Sequence, residues 1–98
     1  MMYTDNGRFE WDAAKARSNS LRHGVGFREA ETAFDDPEYC LTDDLAHSKK
    51  EARHWLIGET SAGRLIVVVF TVRTGGAVRI ISAREATEYE KEIYEDNR

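Results

Sequence analysis

The hydrophobic pattern of the chain changes its period near residue 12. Polar and apolar residues alternate over residues 8–11 (RFEW), which predicts a short strand. Asp12 then offers a helix N-cap, and Gly24 stands where a helix stop is expected. A strand followed directly by a helix over Ala13–His23 is therefore predicted at the N-terminal end.

One stripe of this first helix is polar. Lys15, Asn19 and His23 are four residues apart and share a face. Two interpretations are open. Asn19 and His23 hydrogen-bond to nearby backbone, or the stripe contacts a ligand.

A second helical pattern follows Gly26, which is an acceptable N-cap. Phe27, Ala30 and Phe34 are spaced at i, i+3 and i+7, which predicts the buried side of an amphipathic helix. This helix is expected to end before Pro37, because the residue before a proline avoids helical angles.

The rest of the chain is mostly strand-like. Four further strands are predicted at residues 38–43, 53–60, 64–73 and 77–84. Gly-containing turns join the last three, so antiparallel hairpins are expected. Thr87 and Glu90 form a capping-box pattern that opens a final helix. The predicted fold is one α+β domain over residues 1–98, a mainly antiparallel twisted sheet of about five strands with two N-terminal helices and one C-terminal helix.

The hairpin pattern also predicts a strand register. With two-residue turns, Arg53 lies opposite Val72 and Val72 lies opposite Arg79, which puts both arginines on one face about 10 Å apart. Arg84 then pairs with Val67 and points to the other face if the strand is regular. A β-bulge would redirect it, and a one-residue slip would invert every position.

Charge is unevenly distributed along the chain. The net charge is -4, which by itself argues against a nucleic-acid partner. Residues 47–84 nevertheless hold seven Lys or Arg against two Glu, whereas both flanking segments are acidic. Between residues 53 and 84 there are five arginines and a single acid, Glu59. A local field decides what a surface attracts, so this segment is either an anion or RNA surface or a set of sheet-edge charges paired with the acidic helices.

Several other site types lack support in the sequence. Cys40 is the only cysteine, which excludes an internal disulfide, fits a reducing compartment and is typical of a small buried hydrophobe. The three histidines lack the spacing of metal ligands, so neither a metal nor another cofactor is predicted. No run approaches the roughly 18 apolar residues of a membrane span. The N-terminal stretch MMYTDNGRFE does not have the pattern of a signal peptide.

Several motifs match a known family in order along the chain. They include FEWD at 9–12, K…N…HG at 15–24, HS at 47–48, G.LIVVVFT at 63–71 and RIISAREAT at 79–87. Together they resemble the BrnT family, which consists of ribonuclease toxins of type II toxin–antitoxin systems. The resemblance covers about residues 9–94.

The resemblance implies a fold related to the RelE toxins and RNA cleavage in the bacterial cytoplasm. It also implies a BrnA-type antitoxin as partner in a hetero-oligomer, with operator DNA bound only through the antitoxin. RelE-like toxins use basic residues on the sheet, together with an arginine and a tyrosine near the last strand and final helix. Arg84 and Tyr89 occupy similar places in this sequence.

Metal-free RNA cleavage requires a base for the 2′-hydroxyl proton, an acid for the leaving oxygen, and cations that stabilise charge on phosphorus. Arginine meets only the third need, because it does not give up its proton. The electrostatic candidates are the arginines of the predicted strands, Arg53, Arg79 and Arg84 first and Arg73 next. His47 is the candidate for proton transfer near pH 7, with Glu51 and Tyr89 as alternatives.

The remaining basic residues of the middle segment are candidates for RNA binding, namely Lys49, Lys50, Arg64 and Arg73. A second function is open. The same fold could serve as an RNA-binding or antitoxin-binding module with weak or no catalysis. Binding and cleavage require the same positive charges, so the sequence does not separate the two.

Overall fold

The computed structural model describes residues 2–5, 7–43 and 52–98. In these ranges the chain forms six strands and three helices, in the order β1 (Met2–Asp5), β2 (Phe9–Asp12), α1 (Ala13–His23), α2 (Phe27–Ala33), β3 (Cys40–Asp43), β4 (His54–Glu59), β5 (Leu65–Val72), β6 (Val78–Glu85) and α3 (Glu88–Asp96). All three helices and five of the strands fall in the segments that the sequence pattern predicts, and β1 is additional. No helix within these ranges is long and apolar enough to cross a membrane.

The strands form one sheet in the order β1-β2-β6-β5-β4-β3. β2 and β6 are parallel, and every other neighbouring pair is antiparallel. The sequence predicts a mainly antiparallel sheet, and the sheet is instead mixed. No tight turn joins β2 to β6, so nothing local forces that pair to be antiparallel.

The helices begin and end at residues that local signals mark. Asp12 Oδ1 accepts the backbone N–H of Lys15 at 2.9 Å, and Gly24 closes α1 with a left-handed φ of 69°. Thr87 and Glu90 form a reciprocal capping box at the start of α3. Both caps satisfy backbone N–H groups that the helix itself leaves unpaired.

Both hairpin turns contain three residues instead of the two that the sequence analysis assumes. Residues 61–63 and 74–76 form the turns, closed by backbone hydrogen bonds of 2.8 Å between residues 60 and 64 and between residues 73 and 77. Gly63 and Gly76 take φ values of 81° and 95° at the third turn position. That left-handed residue is what a three-residue hairpin loop requires.

The extra turn residue corrects the predicted register. Arg79 lies opposite Thr71 and not opposite Val72, and the β4–β5 pairing places Arg53 next to Thr71 on the other side. The two arginines therefore remain on one face of the sheet, across Thr71. Each turn is one residue longer than predicted, and the two register shifts cancel. Arg53 and Arg79 therefore still lie on either side of one residue of β5.

The two faces of the sheet carry separate apolar cores. Helices α1 and α2 cover the first face, whose buried cluster includes Phe9, Trp11, Ile66, Val68, Phe70, Ile80 and Ala83. Helix α3 covers part of the second face, where Ile57, Val67 and Tyr94 form a smaller cluster. The arginines Arg53, Arg79 and Arg84 lie on this second face.

Candidate nucleic-acid interface

A β-bulge in β6 sets the direction of two arginines. Phe70 pairs with Ile80, and the preceding residue of β5, Val69, pairs with Ser82, so Ile81 is an extra residue in β6. Arg79 and Arg84 are five positions apart, and in a regular strand they would point to opposite faces. The extra residue shifts the alternation of side chains by one position, so Arg79 and Arg84 point to the same face.

The pairing partners identify this face. Thr71 follows Phe70, which lies in the core under α1 and α2, so Thr71 and its partner Arg79 point to the opposite face. Arg84 pairs with Val67, which belongs to the core under α3. The Arg84–Val67 pairing is the predicted one, but the predicted face for a regular strand is wrong because the strand contains the bulge.

Arg79 is held by a carboxylate on the neighbouring parallel strand. Glu10 lies directly opposite Arg79 in the β2–β6 register. Arg79 Nε donates to Glu10 Oε2 at 2.9 Å, and Arg79 Nη2 lies 2.9 Å from the same oxygen. Nη2 also lies 3.7 Å from the sulfur of Met2. The guanidinium is thus oriented from one side, while about a third of the Arg79 side chain stays exposed.

Thr71 fixes the backbone beside the other arginine. The Thr71 side chain is buried, and its Oγ1 donates to the carbonyl of Ala52 at 2.7 Å. This bond ties the residue before Arg53 to the central strand β5. Arg53 is therefore held at a defined position along the sheet, beside Thr71. It lies two strand spacings, or about 10 Å, from Arg79.

Arg53 and Arg79 line one hollow of about 130 Å³. Lys15 and Asp12, at the start of α1, and the bulge residue Ile81 also line it. The bond from the Lys15 backbone N–H lowers the pKa of Asp12, so that carboxylate remains an ionised helix cap. Three cationic side chains around one hollow form a site suited to a phosphate group, because guanidinium forks and ammonium groups are strong donors to phosphate oxygens.

Arg84 has a different environment on the same face. Its Nη1 and Nη2 donate to the two carboxylate oxygens of Glu90 at 2.7 Å and 2.8 Å. The guanidinium carbon lies 5.6 Å from the ring centre of Trp55, within cation–π distance. Glu90 also accepts the backbone N–H of Thr87 at 2.8 Å. The hydrogen bonds from Arg84 lower the pKa of Glu90 to about 2, so this pair stays charged over nearly all pH values.

Three other predicted residues lie apart from the hollow. Arg64 precedes β5, roughly 23 Å along the strand from Thr71 at about 3.3 Å per residue, and its Nε and Nη2 bind the carboxylate of Glu29. Arg73 is half-buried at the β5–β6 turn. Tyr89 lies on α3 with a relative exposure of 71%. His47, Lys49, Lys50 and Glu51 lie outside the described residues.

The sequence profile of the family described as "Ribonuclease toxin, BrnT, of type II toxin-antitoxin system" matches residues 11–90 of the chain. The chain belongs to the BrnT family. The matched residues make up most of the chain and include the bulged strand β6 and all the residues named above as lining the hollow. A BrnT-family ribonuclease toxin is defined by an RNA target and an antitoxin partner, and both are consistent with a cationic, partly open sheet face.

The fold agrees with this BrnT assignment. A solved structure, the 1.1 Å crystal structure of the Brucella abortus ribonuclease toxin BrnT, is similar to the chain with a TM-score of 0.62 and 26% sequence identity. The similarity covers 80% of this chain and 94% of that chain. No curated protein matches the chain significantly.

Two residues at or beside the hollow are absent from the candidates that the sequence suggests. The alternation of Glu10 with Phe9 and Trp11 predicts that its side chain points away from theirs. Its partner Arg79, however, is 69 residues away in the sequence. Lys15 was noticed only as part of a polar stripe. The parallel β2–β6 pairing brings these residues together, and no local pattern signals a pairing of that range.

Asn19 has a larger structural role than hydrogen bonding to nearby backbone. It is 1% exposed, and its Nδ2 donates to the carbonyls of Val25 and Ala83 at 3.1 Å and 2.8 Å. Its Oδ1 accepts the backbone N–H of Ala83 at 3.1 Å. Asn19 thereby fixes α1 against β6 between the bulge and Arg84.

Proposed function

We propose that this chain is a metal-independent endoribonuclease toxin that cleaves RNA, inhibits translation and growth, and is neutralised by a cognate antitoxin. The observation that carries the proposal is the convergence of Arg53, Arg79 and Lys15 on one hollow of the sheet in a chain of the BrnT family. The hollow binds the scissile phosphodiester, and the cations stabilise the negative charge that grows on its oxygens.

Arg53 and Arg79 are the proposed catalytic arginines, because both reach the hollow. We assign Arg84, the third arginine that the sequence suggests as catalytic, a structural role, since Glu90 occupies its fork and Trp55 lies beside it. Tyr89, which is exposed on α3, remains a candidate for contact with the RNA. His47 remains a proposed proton-transfer group, and Lys49, Lys50, Arg64 and Arg73 remain proposed RNA contacts.

The proposed partner is a BrnA-type antitoxin that binds operator DNA on behalf of the complex, in a cytoplasmic hetero-oligomer. The charge on the sheet supports this. A chain that inhibits translation requires a partner that covers its cationic hollow, and the family is one of toxin–antitoxin pairs. Relation of the fold to the RelE toxins is part of the same proposal. Co-expression with the antitoxin should be needed for good yield, and the free chain should stop growth.

The direct test is incubation of the purified chain with a defined single-stranded RNA in EDTA. Cleavage should continue in EDTA and leave a 2′,3′-cyclic phosphate, because the 2′-oxygen is the nucleophile. Arg79→Ala is the matched inactive control. Cleavage that stops in EDTA and returns with magnesium would overturn the metal-independent mechanism.

A second function is favoured by one specific observation. Arg79 and Arg84 are both engaged by carboxylates, Glu10 and Glu90, before any RNA is present. A chain that binds RNA or antitoxin without catalysis could use the remaining charges alone. The same incubation separates the two functions, because a binding module shifts the RNA in a gel and leaves it intact.

A further inference from the structure

We infer that Glu10 is the general base of the cleavage reaction, the group that takes the proton from the 2′-hydroxyl, and that Arg79 connects this base to the scissile phosphate. The inference rests on the proposed ribonuclease function and adds a residue that the family assignment does not name. Three observations support it, which concern the position of Glu10, its free oxygen and the hollow beside it.

The first observation is position. Phe9 and Trp11 are buried under α1 and α2, so Glu10 between them points to the arginine face. It lies opposite Arg79 in the register, and its side chain is 18% exposed. Two paired strands thus hold this carboxylate against Arg79, which lines the cationic hollow, and this placement is more rigid than a loop provides.

The second observation is that the pair uses only one carboxylate oxygen. Arg79 Nε and Nη2 both contact Oε2. Among the residues that the structure describes, no group donates a hydrogen bond to Oε1 of Glu10. In contrast, Arg84 takes both oxygens of Glu90, and Oε1 of Glu90 has a further donor in Thr87. Glu10 therefore keeps an acceptor oxygen for a proton.

The third observation is the charge around the carboxylate. Arg79 on β6 contacts Glu10, Thr4 on β1 lies opposite it and does not titrate, and Lys15, Arg53 and Asp12 line the adjoining hollow. Arginine cannot act as the base because it holds its proton at any pH near neutral. Glu10 contacts Arg79, which lines the hollow, whereas Asp12 is occupied as the cap of α1.

The proposed step transfers the phosphoryl group to the 2′-oxygen of the same nucleotide. The 2′-O–H bond breaks and its proton passes to Glu10 Oε1, while the 2′-oxygen forms a bond to phosphorus. The bond from phosphorus to the 5′-oxygen breaks, and that oxygen takes a proton from the ammonium group of Lys15. Solvent water then returns a proton to Lys15 and removes one from Glu10. The products are a 2′,3′-cyclic phosphate and a 5′-hydroxyl.

The competing explanation is that Glu10 only orients Arg79. Glu10→Gln separates the two, because the amide oxygen still accepts hydrogen bonds from Arg79 but is a very weak base. If Glu10 is the base, Glu10→Gln should lose about 10²- to 10⁴-fold in cleavage rate, the usual contribution of general base catalysis. Binding of an uncleavable 2′-O-methyl RNA should stay equal or become tighter, since a negative charge is gone. Glu59→Gln, at the exposed end of β4, is the charge-matched control and should cleave normally.

A sulfur leaving group makes the test specific to the base. RNA with sulfur in place of the scissile 5′-oxygen does not require protonation of the leaving group. Lys15→Met should therefore be slow on normal RNA and largely restored on the sulfur substrate, whereas Glu10→Gln should be slow on both. The acidic limb of the pH–rate profile should also disappear in Glu10→Gln.

Each outcome decides between the possibilities. If the unmodified chain cleaves RNA and Glu10→Gln cleaves within threefold of it, the inference is wrong and the proposed function stands. A Glu10→Gln loss that sulfur restores would make Glu10 an acid or a positioning residue and also overturn it. If the unmodified chain cleaves neither substrate, both the inference and the ribonuclease proposal fail.

Discussion

Strand β6 has an arginine near each end, and each arginine forms an ion pair with a glutamate in different surroundings. Arg79 lines a hollow and pairs with Glu10 of β2, whereas Arg84 pairs with Glu90 of helix α3. Arg84 is held by both oxygens of a carboxylate that also caps α3, and its guanidinium lies near Trp55. Arg79 is held by a single oxygen of Glu10 and lines a cavity with two other cations.

The difference shows what makes a charged pair structural or available. A carboxylate that accepts a guanidinium fork and also the backbone N–H at a helix start is already occupied by both contacts. Glu90 is such a group, with 10% of its side chain exposed. Glu10 binds only Arg79 among the described residues. Two arginines of one strand can therefore differ in role. Arg84 links a helix to the sheet, and Arg79 belongs to the candidate site.

The largest expected effect is on catalysis. Arg79→Ala should reduce RNA cleavage by about 10²- to 10³-fold, the usual cost of removing one donor that stabilises transition-state charge. Arg84→Ala should retain most of its cleavage once the rate is corrected for the folded fraction by circular dichroism. The measurement is single-turnover cleavage of a defined RNA. Equal losses in the two variants would mean that the pairs do not differ in function.

The second effect is on stability, and its order is reversed. Arg84→Ala should lower the free energy of unfolding by about 1–3 kcal/mol, because it leaves a nearly buried Glu90 carboxylate without its main donor. The corresponding fall in Tm is about 4–8 °C per kcal/mol for a domain of this size. Arg79→Ala should cost under about 1 kcal/mol, as expected of a more exposed pair.

Thermal denaturation followed by circular dichroism measures both variants. A double variant, Arg84→Ala with Glu90→Ala, should be less destabilised than the sum of the two single changes, since it removes the unpaired charge. If Arg79→Ala is the more destabilised single variant, the assignment of Arg84 as the structural arginine is wrong.

A smaller effect concerns pH. Glu90 has a pKa of about 2 in the folded chain and 4.5 as its ordinary value, with Arg84 as the main cause. A depressed carboxylate pKa contributes stability that is complete above the ordinary value and is lost as pH falls towards the folded value. The Tm of the unmodified chain should therefore fall between pH 4.5 and 2, and less steeply in Glu90→Gln. Parallel slopes in both proteins would remove the ion pair as the cause.

The sequence yields the local features of this fold reliably. The bounds of α1 follow from Asp12 and Gly24, and the start of α3 follows from Thr87 and Glu90, because caps act within three or four residues. The hydrophobic face of α2 was equally readable from its spacing. These features do not depend on the rest of the chain.

The sequence does not predict the register of β4, β5 and β6 correctly, because that register depends on turn length and on the bulge. The assumed two-residue turns are three-residue loops, which moves the predicted pairing by one. The extra residue Ile81 then moves it back, so the Arg84–Val67 pairing agrees with the sequence prediction while the face of Arg84 does not. The two turn shifts leave Arg53 and Arg79 on one face, so the bulge alone brings Arg84 to that face, and no pattern in the sequence predicts the bulge.

The site was readable only in part for a related reason. The charge pattern and the predicted pairing across Val72 indicate Arg53 and Arg79 as candidates, and both line one hollow. Glu10 and Lys15 join them through a parallel pairing between the beginning and the end of the chain, which strand patterns do not encode. The charge pattern therefore predicts an RNA surface, whereas only the strand pairing indicates Glu10 as the proposed proton acceptor.

The smallest expected effect is on the salt dependence of RNA binding, and it compares the same two arginines. Each phosphate contact that is lost should reduce the log–log salt slope by about 0.7 for single-stranded nucleic acid, because fewer counterions are released. Arg79→Ala should show that reduction with uncleavable 2′-O-methyl RNA, since its guanidinium faces the hollow. Arg84→Ala should leave the slope unchanged, because Glu90 already neutralises its charge and keeps the fork away from phosphate. Fluorescence anisotropy titrations between 50 and 300 mM salt, roughly the range in which such slopes are linear, give both values. A reduced slope in Arg84→Ala would mean that RNA displaces Glu90 from the fork, and the difference in role between Arg84 and Arg79 would no longer hold.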